Sequence, residues 1–330
     1  MSSARLGTFA GVFRPTFLTI LGALLYLREG WLVGACGLLG AIAVLAAAGL
    51  ITGTTALSVS TIATNQRMRP GGAFAIIGQA LGLEAGGAIG GPLYIAQALS
   101  SSMYAYAFAE ALTDTVEVVG GPELPLVPVA LAAFLLVAGV TLRSSALAIK
   151  AQGWLFVLAA IALVSLFAGV FTADLHAPNL LPSPTSDVSL VTAFALFFPA
   201  LTGIMVGVGM SGQLADPQRS IPRGTLWAWG ATFSVYALGA LWYSVVATPE
   251  ELLSDPTISF DRALVGWVVR MGLLASTLMA ALSSLVASSQ LLKAMASRGV
   301  VPRALAAVAP SGEPTRAVAV LDALQRHVVG

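Results

Sequence analysis

The chain is a succession of long apolar stretches separated by short polar connections. Each stretch lacks the alternation of apolar and polar side chains that a membrane-spanning β-strand needs. A run of roughly 20 apolar residues is what an α-helix requires to cross a bilayer. The pattern predicts eight transmembrane segments, numbered 1 to 8, at approximately Val12–Trp31, Leu38–Ile62, Ile89–Leu112, Leu126–Leu142, Ala151–Phe171, Val191–Met210, Leu226–Ala247 and Val265–Leu285. We expect the last helix to continue to Ser297.

Composition restricts the protein class further. Of the 330 residues, 57% are hydrophobic and 9% are charged, whereas an ordinary soluble domain carries about 25% charged residues. A net charge of +1 gives no general attraction for nucleic acid. One cysteine and two histidines argue against a disulfide framework or a transition-metal site. No acid–base pair, nucleophile motif or phosphate loop is visible, so we expect neither an enzyme nor a cofactor.

Positive charges concentrate in alternate connections, which indicates the orientation of the segments. The connections on the amino-terminal side hold most of the basic residues: Arg5, Arg67, Arg69, Arg143, Lys150, Arg219, Arg223, Lys293, Arg298, Arg303 and Arg316. The opposite connections hold only Arg28, Arg262 and Arg270. This bias predicts a multi-pass protein of the cell membrane with a cytoplasmic N-terminus.

Two apolar stretches contain residues that interrupt a helix. Segment 1 has Gly22 near its middle, and segment 6 has Pro199 followed by Gly203. Proline removes a helical hydrogen bond, and glycine frees the backbone. Segment 6 follows segment 1 after five crossings of the membrane. Because this number is odd, the two helices run in opposite directions. Interrupted helices at corresponding positions of an inverted repeat are typical of a transporter's binding site.

A helix break near the middle of the membrane can bind ions without a charged side chain. Carbonyls that lose their helical partners can coordinate a cation, and the N–H groups that begin the next half-helix can hold an anion. In segment 1 the carbonyls belong to Thr19, Ile20 and Leu21, and in segment 6 to Pro199 and its neighbours. By these boundaries the middle of the segments contains no Asp, Glu, Lys or His, which favours metal cations over protons as coupling ions.

Several stretches resemble the cation–chloride cotransporters, a family of the amino acid–polyamine–organocation superfamily. The resemblance covers nearly the whole chain and is most specific in segment 6. The matching stretches are Gly11–Trp31, Ala63–Phe74, Gly82–Tyr94, Met103–Glu110, Phe197–Thr225 and Ala281–Ala296. It implies an all-α integral membrane protein with the inverted-repeat transporter fold and broken helices 1 and 6.

The resemblance also implies ion sites, with each family position transferred to its match in this sequence. The implied potassium ligands are Thr19, Ile20, Tyr104, Pro199 and Thr202, although many members have Asn at the position of Thr19. The implied sodium ligands are the carbonyls of Leu18, Leu21 and Ala280 with the hydroxyls of Ser283 and Ser284. Potassium-only members lack part of that serine pair, so its presence favours sodium coupling. The implied chloride sites are the N–H groups of Gly22, Ala23 and Leu24 and of Gly203, Ile204 and Met205.

Two further features follow from the resemblance. Arg28 and Glu110, at the predicted outer ends of segments 1 and 3, resemble an extracellular gate pair. The fold also needs ten core helices, so residues 1–182 are expected to form the first five-helix repeat and residues 183–300 a partial second repeat. Residues 301–330 are then a cytoplasmic tail with the start of a ninth helix, and we expect a C-terminally truncated member.

These features favour a secondary transporter that couples chloride to sodium, potassium or both by alternating access. Two alternatives stay open: an amino acid permease on the same fold, and an inactive fragment or scaffold. The expected partners are inorganic ions and the lipid bilayer, with a homodimer left open. Pairs of glycines four residues apart, such as Gly49 and Gly53 or Gly86 and Gly90, are interpreted as points of close helix contact.

Overall fold

Long α-helices occur where the apolar stretches predict them. The structure is a computed structural model that describes residues 5–65, 71–143 and 145–303. Segments 1 to 8 extend over Phe9–Leu27, Glu29–Asn65, Leu83–Val118, Leu126–Arg143, Ser145–Ala168, Leu190–Gln213, Pro217–Val246 and Gly266–Ser297. Shorter helices occupy Gly72–Ala80, Pro249–Ser254 and Ile258–Asp261, and a 3₁₀ turn, Gly169–Phe171, follows segment 5. Within these residues the extended pairing is limited to one bridge between Leu6 and Leu214.

Within the described residues, five helices are long and apolar enough to cross a membrane: segments 1, 2, 6 and 8, and Ala151–Phe171, which combines most of segment 5 with the 3₁₀ turn after it. Leu126–Thr141 in segment 4 is apolar but shorter. The predicted bounds of segments 3 and 7 were too short, because both helices continue beyond their apolar cores. Segment 7 begins at Pro217, where the side chain of Asp216 accepts a hydrogen bond from the Arg219 N–H and caps the helix.

Corresponding segments of the two predicted repeats pack against each other. The most extensive helix contacts join segment 2 to segment 7 and segment 3 to segment 8. The Ser101 hydroxyl in segment 3 donates a 3.0 Å hydrogen bond to the Ala281 carbonyl in segment 8, 180 positions away. Nearly the same interval separates Gly22 from Gly203, as an inverted repeat requires. The division at residues 182 and 300 stays a prediction, and residues 304–330 lie outside the described part of the chain.

Glycines at the helix contacts confirm the interpretation of their four-residue spacing. A Cβ atom at Gly49 would lie 2.5 Å from the Phe233 ring, and one at Gly53 would lie 2.6 Å from the Trp229 ring. The Trp229 Nε1–H also donates to the Thr52 hydroxyl at 3.1 Å. Because lipid tails supply no hydrophobic drive for helix association, such close approach is a main source of attraction between helices.

Segment 2 contains a third helix interruption, which the sequence analysis did not predict. Gly37 has φ +68° and ψ 169° inside the helix, a conformation that glycine adopts readily. The freed Leu38 N–H donates to the Asn179 carbonyl at 2.7 Å. A Cβ atom at Gly37 would lie 2.4 Å from the Leu181 backbone. The connection between segments 5 and 6 therefore inserts into segment 2 at this break.

A carboxylate in the connection between segments 7 and 8 makes stability depend on pH. The Thr248 N–H donates to Glu251 Oε2 at 2.8 Å, and Arg262 Nη2 lies 3.1 Å from Oε1. The hydrogen bond from Thr248 is the main reason that the pKa of Glu251 falls below its ordinary 4.5. A lowered carboxyl pKa stabilises the fold above the unfolded-state value, and that contribution disappears as pH falls through the folded-state pKa.

We therefore expect the melting temperature of wild type to exceed that of Glu251→Gln at neutral pH, by an amount that shrinks as pH falls below about 4.5 and vanishes below the folded-state pKa. The difference should be small, because the Glu251 side chain is 41% exposed and exposed ion pairs contribute at most about 1 kcal/mol. Thermal melts across pH in lipid nanodiscs measure it, with the exposed Glu123→Gln as the control. A difference that does not change with pH would contradict this assignment.

Candidate functional site

The helix of segment 1 is broken at the predicted position. Its first half ends at Ile20, and its second half begins at Ala23 and ends at Leu27. Between them Gly22 has φ −32° and ψ −162°, and no side chain caps the second half-helix. The backbone groups on both sides of this break are therefore without the usual helical partners.

Segment 6 is broken over Thr202–Ile204. A helix over Leu190–Phe197 tightens into a 3₁₀ turn over Phe198–Leu201, and a second short helix begins at Met205. Thr202 is extended, and Gly203 has φ +110°, a conformation that favours glycine. The Thr202 N–H and hydroxyl both donate to the Pro199 carbonyl, at 3.2 and 2.7 Å. Pro199 and Thr202, two predicted potassium ligands, are thus in direct contact.

The two breaks face each other, and Tyr104 of segment 3 lies beside them. A Cβ atom at Gly203 would lie 3.0 Å from Thr19 Cγ2, and one at Gly22 would lie 3.4 Å from Tyr104 Cε1. The Tyr104 hydroxyl donates to the Thr19 carbonyl at 3.4 Å. The structure therefore brings Thr19, Tyr104 and both breaks together. The Thr19 hydroxyl is turned away from this site, because it donates to Pro15 at 2.7 Å.

Segment 7 supplies two tyrosines to the broken helix that the sequence analysis missed. Tyr236, which is fully buried, donates to the Ile20 carbonyl at 2.8 Å. Tyr243, two turns further along the same face, donates to the carbonyls of Leu25 and Tyr26 at 3.0 and 3.2 Å. These carbonyls belong to the ends of the two half-helices. A carbonyl oxygen can accept two bonds, so Ile20 keeps capacity for a cation while Tyr236 fixes its direction.

The predicted sodium ligands are all buried in segments 1 and 8, two helices that contact each other. Leu18, Leu21 and Ala280 are fully buried, and Ser283 and Ser284 almost so. Leu18 and Leu21 share one apolar cluster with Met279, the neighbour of Ala280. The Ser283 hydroxyl has no hydrogen-bond partner among the described residues. A buried hydroxyl without a partner is uncommon and calls for an explanation, such as an ion.

The predicted chloride groups lie where the two second half-helices begin. Gly22 precedes Ala23–Leu27, and Gly203 and Ile204 precede Met205–Gly209. Ile204 is buried, whereas Ala23, Leu24 and Met205 are partly buried. The Gly203 carbonyl accepts from the Val206 N–H at 3.1 Å. Both sets of N–H groups thus stand at the start of a half-helix, next to a break.

The predicted gate pair stays a prediction. Arg28 and Glu110 are both exposed, and neither takes part in an ion pair within the ranges that the structure describes. One turn beyond Glu110, Asp114 of segment 3 pairs with Arg270 of segment 8. The Arg270 guanidinium also lies 4.3 Å from the centre of the Phe260 ring. This pair joins the predicted outer ends of two segments that already pack closely.

One acidic side chain that the sequence analysis did not consider, Glu29, is buried near the predicted outer end of segment 1. Segment 1 ends at Leu27 rather than Trp31, and Glu29 begins segment 2 with no exposed surface. The rule that favoured metal cations considered only the middle of the predicted segments, and it missed this residue. In the part of the chain that the structure covers, no three His, Cys, Asp or Glu residues form a metal-binding group.

Comparisons with known proteins agree with this architecture. The family model described as amino acid permease matches residues 11–324. Solute carrier family 12 member 8 of Mus musculus is 32% identical over 94% of this chain and 45% of its own length. Cation-chloride cotransporter 1 of Arabidopsis thaliana is 31% identical over 90% of this chain and 36% of its own. Solute carrier family 12 member 9 of Mus musculus is 31% identical over 96% of this chain and 40% of its own. The chain thus spans less than half the length of these relatives, and the resemblance inferred from its motifs is confirmed.

A solved structure has a similar fold. The crystal structure of MhsT in complex with L-phenylalanine superposes with a TM-score of 0.60 and covers 99% of this chain and 80% of its own. Sequence identity is 15%, so this likeness supports the fold alone. The broken helices 1 and 6 and the pairwise packing of the segments thus belong to an all-α, inverted-repeat membrane fold.

Proposed function

This chain belongs to the amino acid permease family, and we propose that it is a secondary active transporter that moves chloride together with sodium, potassium or both. The observation that carries the proposal is the pair of facing breaks, with Tyr104 reaching the Thr19 carbonyl beside Gly203. Alternating access around such a site is the mechanism of inverted-repeat transporters.

Potassium would bind between the breaks. The proposed ligands are the carbonyls of Thr19, Ile20 and Pro199 with the hydroxyls of Tyr104 and Thr202. Each of the three carbonyls already accepts a hydrogen bond from a neighbouring side chain, which holds it in a fixed direction. The carbonyls of Thr19 and Ile20 each keep a second acceptor position for a cation. The Pro199 carbonyl already accepts two bonds from Thr202, and it gains a free position when the Thr202 hydroxyl turns to the cation. This arrangement supports a bare cation as ligand.

Sodium would bind at the contact of segments 1 and 8, on Leu18, Leu21, Ala280, Ser283 and Ser284. The unpartnered hydroxyl of Ser283 supports this site, because an ion would supply the interaction that the protein does not. Chloride would bind the N–H groups at Gly22–Leu24 and Gly203–Met205. The clustering of Lys and Arg supports a cytoplasmic N-terminus in the cell membrane.

The decisive experiment is uptake of radioactive chloride, rubidium and sodium into proteoliposomes, with amino acids tested as competitors. Chloride uptake that requires an inward gradient of sodium, potassium or rubidium is the expected result. The protein should be assayed as the full 330-residue chain, with empty liposomes as the background. Uptake that requires an amino acid and ignores chloride would overturn the proposal.

The Ser283→Ala variant tests the sodium site. We expect the sodium concentration for half-maximal uptake to rise by about tenfold, since losing one ligand worth about 1.4 kcal/mol has that effect. The melting temperature without sodium should not fall, because the hydroxyl has no partner to lose.

The matched control for this prediction is Ser288→Ala. Ser288 is also buried in segment 8, but its hydroxyl already donates to the Leu285 carbonyl at 2.9 Å. This variant should keep the sodium dependence of wild type. If both variants change sodium dependence equally, Ser283 has no special role as a ligand.

An amino acid permease is the second candidate. The family description and a fold neighbour solved with L-phenylalanine favour it. Against it, the turn Gly22-Ala23-Leu24 lacks a second glycine to receive a substrate carboxylate, and the Tyr104 ring lies beside Gly22. Amino acid competition in the uptake assay separates the two candidates.

A further inference from the structure

Glu29 is a fully buried acid that pairs with no cation in the described chain. It has no exposed surface, and neither carboxylate oxygen has a partner in good hydrogen-bond geometry among the residues that the structure describes. The Ala240 N–H is a weak donor near the carboxyl group, and the effect of burial outweighs it. The adjacent Arg28 points to the surface and is exposed. None of the ion pairs within residues 5–65, 71–143 and 145–303 includes Glu29.

Segment 7 contains a space for this carboxyl group. A Cβ atom at Gly239 would lie 2.5 Å from Glu29 Oε2 and 3.1 Å from Oε1. Only glycine therefore leaves enough room at this position. The backbone of segment 7 thus lies directly against the carboxyl group.

Among the described residues, the titratable groups that interact with Glu29 are two tyrosines of segment 7. Tyr236 and Tyr243 of segment 7 are near enough to interact electrostatically with Glu29 and with Tyr26 of segment 1. The hydroxyls of Tyr236 and Tyr243 are directed to carbonyls of segment 1. The Tyr26 hydroxyl has no partner among the described residues. No cation is paired with the acid, so the surroundings do not favour a carboxylate.

An unpaired buried charge costs several kcal/mol, and a carboxylate avoids this cost by binding a proton. We propose that Glu29 is a proton-binding site whose carboxyl group is protonated in this conformation. It releases the proton when segments 1, 2 and 7 rearrange and open the acid to water. Because a proton bound to one conformation favours that conformation, low pH stabilises the arrangement described here.

The position of Glu29 links this site to the cation site. Gly239 lies one turn from Tyr236, whose hydroxyl holds the Ile20 carbonyl at 2.8 Å. A displacement of segment 7 away from Glu29 would therefore also move the donor that fixes a proposed potassium ligand. Transport should accordingly change with pH, and the change should require the Glu29 carboxyl group.

Infrared spectroscopy tests the protonation directly. Wild type in lipid at neutral pH should show the carbonyl-stretch band of a buried, protonated carboxylic acid. The band should be absent in Glu29→Gln and present in Glu117→Gln, a control at an exposed position of segment 3. A wild-type spectrum without the band, or an unchanged band in Glu29→Gln, would overturn the proposal.

The Gly239→Ala variant tests the same site from segment 7. Its added methyl group would displace the carboxyl group, so the band should shift or disappear. The matched control is Gly230→Ala on the same helix, where a Cβ atom meets nothing within 4 Å. A band unchanged in both variants would contradict the placement of the acid against Gly239.

Transport provides a second readout, which rests on the proposed function. Wild-type uptake should vary several-fold between about pH 5 and pH 9, the interval over which buried carboxylic acids ionise. The dependence should be lost in Glu29→Gln and kept in Glu117→Gln. The same pH profile in wild type and Glu29→Gln would refute the link to transport. Absence of uptake from every variant would count against the proposed function, while the infrared result would still decide whether Glu29 binds a proton.

Discussion

The Gly203→Ala variant is expected to lose at least about nine-tenths of wild-type ion uptake. At φ +110° any other residue is strained by about 1–3 kcal/mol. The new methyl group would also lie 3.0 Å from Thr19 Cγ2 and 3.5 Å from Ile20 Cγ1. Both effects separate the break in segment 6 from the break in segment 1. Uptake in proteoliposomes, normalised to reconstituted protein, measures the loss.

Gly230→Ala is the matched control for Gly203→Ala, since its new side chain would occupy open space on segment 7. It should keep wild-type uptake. A melting temperature for each variant separates lost transport from lost folding. Normal uptake by a well-folded Gly203→Ala protein would show that the facing breaks are not the transport site.

The Tyr236→Phe variant is expected to bind potassium or rubidium about tenfold more weakly. The change removes the donor to the Ile20 carbonyl and leaves that buried carbonyl unsatisfied, at a cost of about 1–3 kcal/mol. The melting temperature should therefore fall by a few degrees. The rubidium concentration for half-maximal uptake should rise, because the carbonyl is no longer held in its binding direction.

Tyr106→Phe serves as the control for Tyr236→Phe. Tyr106 lies on segment 3 and is 45% exposed, so its hydroxyl is not required to satisfy a buried group. It should match wild type in both rubidium affinity and melting temperature. If Tyr236→Phe loses stability but keeps its rubidium affinity, Tyr236 has a structural role and does not organise the cation site.

The sequence predicted the two breaks because glycine and proline interrupt otherwise uniform apolar stretches. It could not predict the break at Gly37 in the same way. That conformation depends on Asn179 and Leu181, which approach only after the connection between segments 5 and 6 has folded back onto segment 2. The pattern of residues around Gly37 therefore cannot predict a contact with residues that are far away in the sequence.

The tyrosines of segment 7 illustrate a second limit. In an apolar stretch, Tyr236 and Tyr243 resemble ordinary aromatic residues, and their two-turn spacing shows only that they share a helix face. Their role appears when Ile20 and Leu25 are found at the other end of each hydrogen bond. Glu29 was missed for a related reason. A charged residue next to Arg28 is expected at the membrane interface. Only the contact between Glu29 and Gly239 of segment 7 shows that this one is buried.

The glycine contacts between segments 2 and 7 restrict how these helices can move. Gly49 faces Phe233 and Gly53 faces Trp229. The two helices are therefore antiparallel, and successive turns of one contact successive turns of the other. Sliding by one turn, about 5.4 Å, would press a ring against Leu45 or Leu57 instead of glycine. Shear along this contact is therefore blocked in both directions. A rigid-body rotation of segments 2 and 7 together keeps these contacts. Through the hydrogen bond from Tyr236, this rotation would also move the Ile20 carbonyl.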